Sequence, residues 1–304
     1  MSFVKATRIL FVPGKFLRII LVNLKDPQKK MNSKLILFWK FYIIILMILH
    51  QTFFIEYSHS YPIVTLKDLA NFGQYLTYLI SIGFLCYLTV SRTEGLRQLY
   101  IKFYELSENP FYSEINYNSI SVLCKFLTLF VFLLEIQQLY IMIPKLPNIW
   151  LYKLLIFFVN VWLNNAFNYT FFLIITYILI LSLYFSEINQ ILKKKKLLRK
   201  SLHILMDIYT KDYQLAEDLN NVYDIFLLPI LLSEFFWIIS IMYSKIYILV
   251  ENGYISIIEI LDFIKNISFS IIYIAIFLWV CSKTKNMVSI YYGCYRYLNT
   301  VDSA

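Results

Sequence analysis

The chain has 304 residues, 60% of them hydrophobic and only 15% charged, with a net charge of +9. A soluble globular domain is nearer half apolar and a quarter charged, so this composition excludes an ordinary soluble domain, a disordered chain, a collagen-like rod and a disulfide scaffold. Six glycines and seven prolines leave little room for loop, and a mean hydropathy of +0.64 carried in long blocks describes an all-α integral membrane protein.

In chain order, residues 1–34 read as a cytoplasmic amphipathic segment. Phe3, Ile9, Leu10, Phe11, Phe16 and Leu17 alternate there with Lys5, Arg8, Lys15 and Arg18. No cleavage site follows a short apolar core, so the expectation is a helix on the inner leaflet rather than a signal peptide. A disordered basic tail is the alternative, since Pro13 and Gly14 interrupt the pattern.

A transmembrane helix needs about 20 mostly apolar residues. Six blocks qualify: 35–55, 70–90, 119–143, 150–186, 224–249 and 257–281. Together they form a six-helix transmembrane domain over 35–281. The fourth block is overlong. Its 37 positions would reach about 55 Å as one helix, well beyond a bilayer core of about 30 Å. A cytoplasmic helix is expected over 201–222, and residues 282–304 form a cytoplasmic tail. Pro229 should kink the fifth helix near its inner end.

Orientation follows from lysine and arginine counts. With both termini cytoplasmic, the inner segments 1–34, 91–118, 187–223 and 282–304 hold 8, 3, 7 and 3 basic residues, 21 in all. The outer segments contribute only Lys67 and Lys145, with Lys245 near the outer end of the fifth span. This places the protein in the plasma membrane as a multi-pass protein. It also sets aside a G-protein-coupled receptor, whose N-terminus lies outside. The same distribution, in short loops between apolar blocks, argues against nucleic acid as a partner.

No catalytic constellation is present, so an enzyme is not expected. His50, His59 and His203 lie far apart, and none has a second ligand at zinc spacing. No phosphate loop or nucleophile elbow occurs, and neither cofactor nor metal is implied. Cys86, Cys124, Cys281 and Cys294 read as small hydrophobes. The sequons at Asn168 and Asn266 fall inside predicted spans, and Lys40, Lys125 and Lys153 are placed to snorkel from span ends.

Polar side chains inside spans are costly and normally face protein or a wet cavity. At 100° per residue, Asn160, Asn164, Asn165 and Asn168 share one arc of the fourth span, continued by Trp162 and Tyr169. Val159, Leu163, Ala166 and Phe167 occupy the opposite, lipid-facing arc. Glu135 and Gln138 share a face of the third span. Glu234 has Trp237 beside it and no basic neighbour in its own span, so its partner must lie on another helix. Asp262 and Asn266 are one turn apart in the sixth span, and Lys265 neutralises Asp262 locally in one reading. Tyr75 and Tyr78 of the second span reach similar depth. Amides, acids and rings converging in the outer half describe a small-molecule pocket open to the outside. The competing reading is interhelical hydrogen bonding without a ligand.

The segment LHILMDIYTKDYQLAEDLNNVYDIFLLPILLSEFFWIISIMY at 202–243 carries leucines at 202, 205, 215 and 219. Then come Leu219-Asn220, an aromatic at 223, Phe226-Leu227-Leu228 and a span closing on Tyr243. This resembles the region before and within the fifth transmembrane helix of insect gustatory receptors. The cytoplasmic N-terminus, overlong fourth helix and short outer loops are also similar to that family. The resemblance implies a tetramer, homomeric or shared with other receptor subunits, forming a ligand-gated cation channel. Its tastant would bind among the outer parts of helices one to six, and its seventh helix would line the pore with a Thr-Tyr…Gln-Phe signature. After Cys281 the sequence shows no seventh apolar span and no such signature, so the expectation is a subunit with the pore helix missing. The rivals are a six-span small-molecule or proton-coupled transporter using Glu135, Glu234 and Asp262, and a purely structural membrane protein.

Overall fold

The computed structural model describes residues 3–16, 90–113, 115–142, 150–193 and 199–254 as continuous stretches, with scattered positions between 33 and 87 and between 257 and 285. It is all-α: among the described residues there is no strand. Among the described residues five α-helices are continuous: α1 (Phe3–Phe16), α2 (Thr93–Ser107), α3 (Asn118–Met142), α4 (Trp150–Lys193) and α5 (Arg199–Asn252), with a 3-10 turn at Pro110–Tyr112 between α2 and α3.

Local chemistry fixes several of these ends. The Asn109 side chain accepts from the Phe111 amide at 3.0 Å, and Pro110 takes the first position of the 3-10 turn, where no amide is required. The Asn116 carbonyl oxygen accepts from the Asn118 amide at 2.9 Å at the start of α3. At the other end of the chain α5 stops where Gly253 adopts a φ of 73°, its amide donating to Leu249 O at 2.9 Å. Only glycine enters that left-handed conformation without strain.

The fourth helix is longer than its apolar run. At 44 residues it extends about 66 Å, because Glu187, Asn189 and Gln190 continue the helix after hydropathy falls. The cytoplasmic helix expected over 201–222 and the fifth span are one helix, α5, of 54 residues, about 80 Å long. It runs through Pro229 without interruption.

A core of rings and branched side chains gathers α1, α2, the 3-10 turn, the first half of α3, residues 166–188 of α4 and residues 205–223 of α5. α1 packs on α3 and α4, α2 on α5, and α4 between α3 and α5. Here the inner-leaflet expectation for α1 is corrected. Phe3, Ala6, Thr7 and Leu10 are each at most 1% exposed, and the Phe3 ring lies 6.0–6.5 Å from Tyr100, Phe103 and Tyr117. The apolar face of α1 is covered by protein; Lys5 and Arg8 stay outward. An amphipathic helix reports only that one face must be buried, and here a groove of aromatic rings buries it.

Gly95 marks the closest approach of α2 to α5. A Cβ at that position would meet Val222 Cγ2 at 3.3 Å, so the two helices sit nearer than any larger residue would comfortably allow. The Thr7, Thr128, Thr170 and Thr176 hydroxyls donate to the carbonyl four residues earlier, at 2.7–2.9 Å. Each thereby brings its own hydrogen bond into apolar surroundings.

The exposed faces change character along the helices. On α5 the outward residues from Asp207 to Asn221 include Lys211, Gln214 and Glu217. From Leu232 to Val250 they are Leu232, Phe235, Phe236, Trp237, Ile239, Met242, Ile246, Leu249 and Val250, between 37% and 79% exposed. On α3 the exposed Asn118 and Ser119 give way to Val122, Phe126, Leu129, Phe132 and Leu133, with Lys125 at the transition. Ile257, Ile260, Ile264, Ile271, Ile272, Leu278 and Trp279 are likewise exposed. α2 instead turns Glu94, Gln98, Lys102 and Glu105 outward.

Candidate functional site

The polar arc expected on α4 is partly visible. Asn160, Trp162 and Asn164 are helical, with side chains outside the described set, while Asn165 and Asn168 are half-buried and Tyr169 is buried. Ala166, expected on the lipid-facing arc, is 1% exposed. The two-faced reading therefore ends near that residue. From Tyr169 to Tyr177 every position is buried, because α3, α5 and the segment containing Phe277 enclose α4 from several sides. Within α4, Asn168–Ile191 is the one stretch among the described residues long and apolar enough to cross a membrane, and 83% of its apolar window is buried in protein. A core helix would show the same burial, so the exposed faces are the informative ones.

The remaining pocket candidates do not form one described cavity. Glu135 and Gln138 lie on α3 with undescribed side chains, and Tyr75, Tyr78, Asp262 and Asn266 lie outside the described residues. Trp237 is 37% exposed on α5. Ser270 is a hydrogen-bonding neighbour of Glu234, and none of the described ion pairs includes Glu234. A small, partly open cleft of about 10 Å³ between α3, α4 and the side chains of Ile272 and Ile276 is wholly apolar, lined by Phe126, Phe130, Phe171, Phe172 and Ile175 among others. It has no polar group to orient a ligand.

The best-formed polar cluster lies elsewhere, in the helical core. Tyr112 of the 3-10 turn, 1% exposed, donates its hydroxyl hydrogen to Asp212 Oδ2 of α5 at 2.5 Å. Its ring stacks on Tyr184 of α4 with centroids 4.4 Å apart. The Tyr117 hydroxyl donates to the Tyr184 hydroxyl, which donates onward to the Phe103 carbonyl, both at 3.4 Å. Phe103 in turn stacks on Tyr177 at 4.5 Å. Asp212 is 0% exposed, and its second oxygen, Oδ1, has no hydrogen-bond partner among the described residues. Lys211 beside it turns outward to Asp207 at 2.8 Å. Lys102 pairs with Asp218 and Arg97 with Glu94, so none of the described ion pairs includes Asp212.

Burial without a counter-charge disfavours the carboxylate. It lifts Asp212 from the ordinary 3.8 to about 7, although the Tyr112 hydrogen bond opposes it. Burial first, and then the facing Asp212 carboxyl, hold the Tyr112 phenol far above its usual range.

Inspection of the sequence overlooked this cluster, yet a signal was there. Leu205, Ile208, Asp212, Leu215, Leu219 and Val222 follow helical spacing and are all buried, so Asp212 sits within an apolar stripe. Among the described residues no group of three or more His, Cys, Asp or Glu side chains is placed to hold a metal. The described thiols, buried Cys124 and half-buried Cys281, are free. No protein-family model matches the chain, and no curated protein matches it significantly.

Proposed function

We propose that the protein is a multi-pass membrane receptor of gustatory-receptor type, binding a small tastant from the outer side of the plasma membrane. The helical core would hang beneath the bilayer on the cytoplasmic side. The observation that carries the membrane part is the change in the exposed face of α5. Its outward residues up to Asn221 are mostly polar, with Ile204 and Tyr213 the exceptions, whereas from Leu232 to Val250 the exposed ones are all apolar, a rise of about 27 Å. That height matches a bilayer core of about 30 Å, and a soluble monomer does not expose so long an apolar face. α3 changes in the same sense after Ser119, and Lys125 is placed to snorkel at the boundary. Six spans, cytoplasmic termini and the positive-inside count complete the reading.

The receptor part is supported by the resemblance over residues 202–243 and by the amide-rich face of α4 above Thr170. With subunits associating as tetramers, the same reading extends to a ligand-gated cation channel subunit. Stabilisation of the purified protein by a panel of sugars and bitter alkaloids tests it. At least one compound should raise the thermal midpoint; Asn165→Leu should remove that rise without lowering expression. Val159→Leu should retain it. Equal loss of expression from substitutions on both arcs would make the asparagines interhelical hydrogen bonding and overturn the pocket.

One observation favours a second reading. Glu234, beside Ser270 within the apolar stretch, is an ionisable group of the kind that proton relays use. Uptake into proteoliposomes driven by a pH gradient and lost in Glu234→Gln would select that reading.

A further inference from the structure

Asp212 is a carboxyl group in an arrangement that ordinary structural needs do not explain. It interrupts the buried stripe of α5, makes one hydrogen bond and leaves Oδ1 unpartnered among the described residues. A methyl-bearing side chain there would pack without such a penalty, since a buried polar atom lacking its partner is destabilising. The groups that face it or its partner are Tyr112 from the 3-10 turn, Tyr117 from the turn before α3, and Tyr184 and Glu187 from α4. Glu108, after the end of α2, acts on Tyr117. All are phenols or acids; none supplies positive charge.

The cluster also sits at a mechanical junction. Tyr112 belongs to a three-residue turn that links α2 to α3, and Asp212 belongs to the helix that continues unbroken to the apolar stretch ending at Val250. We infer that Asp212 and Tyr112 form a proton-controlled latch. With a proton on Asp212 the α2–α3 elbow closes against α5; loss of that proton drives the elbow open and frees α5 to move relative to α4. The regulating ligand is the proton itself. That the sensed pH is cytosolic rests on the proposed topology; the latch does not.

The direction follows from linkage. The closed state holds the proton more tightly than an open, hydrated aspartate would. The closed state is therefore fully favoured below about pH 4 and weakens as pH rises towards and through about 7. Above that value the carboxyl is ionised in both states and no further weakening occurs. Within the window the balance shifts by up to roughly tenfold per pH unit for a single proton.

Spin labels at two exposed positions flanking the cluster, Ser113 and Gln214, read the latch as a distance. The measurement uses the full chain in lipid nanodiscs, with its native cysteines replaced and both faces at one pH, so it does not depend on sidedness. Between about pH 4 and about pH 7 the short, narrow distance should give way to a longer, broader one, with little further change at higher pH. Asp212→Asn, always neutral, should stay short throughout. Tyr112→Phe keeps the ring and removes the one hydrogen bond described to the ionised form, so the ionised closed state should weaken further and the open fraction above about pH 7 should rise. A distance constant with pH in the wild type would overturn the latch, as would an Asp212→Asn variant that opens like it. If Asp212→Asn does not fold, an open fraction above about pH 7 that is unchanged in Tyr112→Phe overturns it instead.

Discussion

Tyr184→Ala should strongly destabilise the helical core. The Tyr184 ring is fully buried, stacks on Tyr112 at 4.4 Å and lies 6.5 Å from Phe103. Its hydroxyl joins Tyr117 to the Phe103 carbonyl. Removing a buried ring of this size costs about 3–5 kcal/mol, and here the loss reaches α2, the 3-10 turn and α4 together. The thermal midpoint in detergent should fall by roughly 10 °C. Tyr184→Phe keeps the ring and loses two long hydrogen bonds, so it should cost about 1 kcal/mol or less. Phe126→Ala removes a ring that is 55% exposed and should be nearly neutral in detergent. A Tyr184→Ala protein as stable as Phe126→Ala would mean that these helices do not form one core.

A charge in the middle of the exposed apolar face of α5 should block insertion. Ile239 is 45% exposed between Leu232 and Val250. If that face meets lipid, Ile239→Asp places a carboxylate near the bilayer centre at a cost on the order of 3 kcal/mol. The inserted fraction should then drop by roughly a hundredfold. Asn221→Asp, on the exposed polar part of the same helix, should insert as the wild type does. The contrast depends on position along one helix, not on the charge alone.

Much of this architecture can be read from hydropathy and charge, because helix length and lipid-compatible faces are local properties. The overlong α4 is visible in the run from Trp150 to Ser186, and the stripe of Leu205, Leu215 and Leu219 announces a packed helix before the fifth apolar block. The continuity of α5 is not visible. Asp207, Lys211, Glu217 and Asp218 signal water and Pro229 signals a break, yet neither a change of solvent nor one proline ends a helix whose two halves are each packed. The fate of α1 is hidden for another reason: the pattern of Phe3, Ala6 and Leu10 is the same whether lipid or Tyr100 and Phe103 cover it.

The polar residues divide along the same line. Glu234 lacks a basic neighbour in its own span, and Ser270 stands beside it on another segment. Ala166, expected to face lipid, is buried, because the surroundings of α4 enclose it there. The Tyr112–Asp212 contact joins residues 100 positions apart. No local pattern pairs them, and only the stripe in which Asp212 sits hints at its burial.

The central claim is that α5 passes from one side of a membrane to the other, and cysteine labelling at its two ends tests it most directly. With the four native cysteines replaced by alanine, Tyr254→Cys lies just beyond the helix at a position 71% exposed. Gln214→Cys lies on the exposed polar half, about 57 Å away along the helix axis. In intact cells a membrane-impermeant maleimide should label position 254 and leave position 214 untouched until the cells are permeabilised. Labelling of position 214 in intact cells, or recovery of both variants in the soluble fraction, would contradict the account.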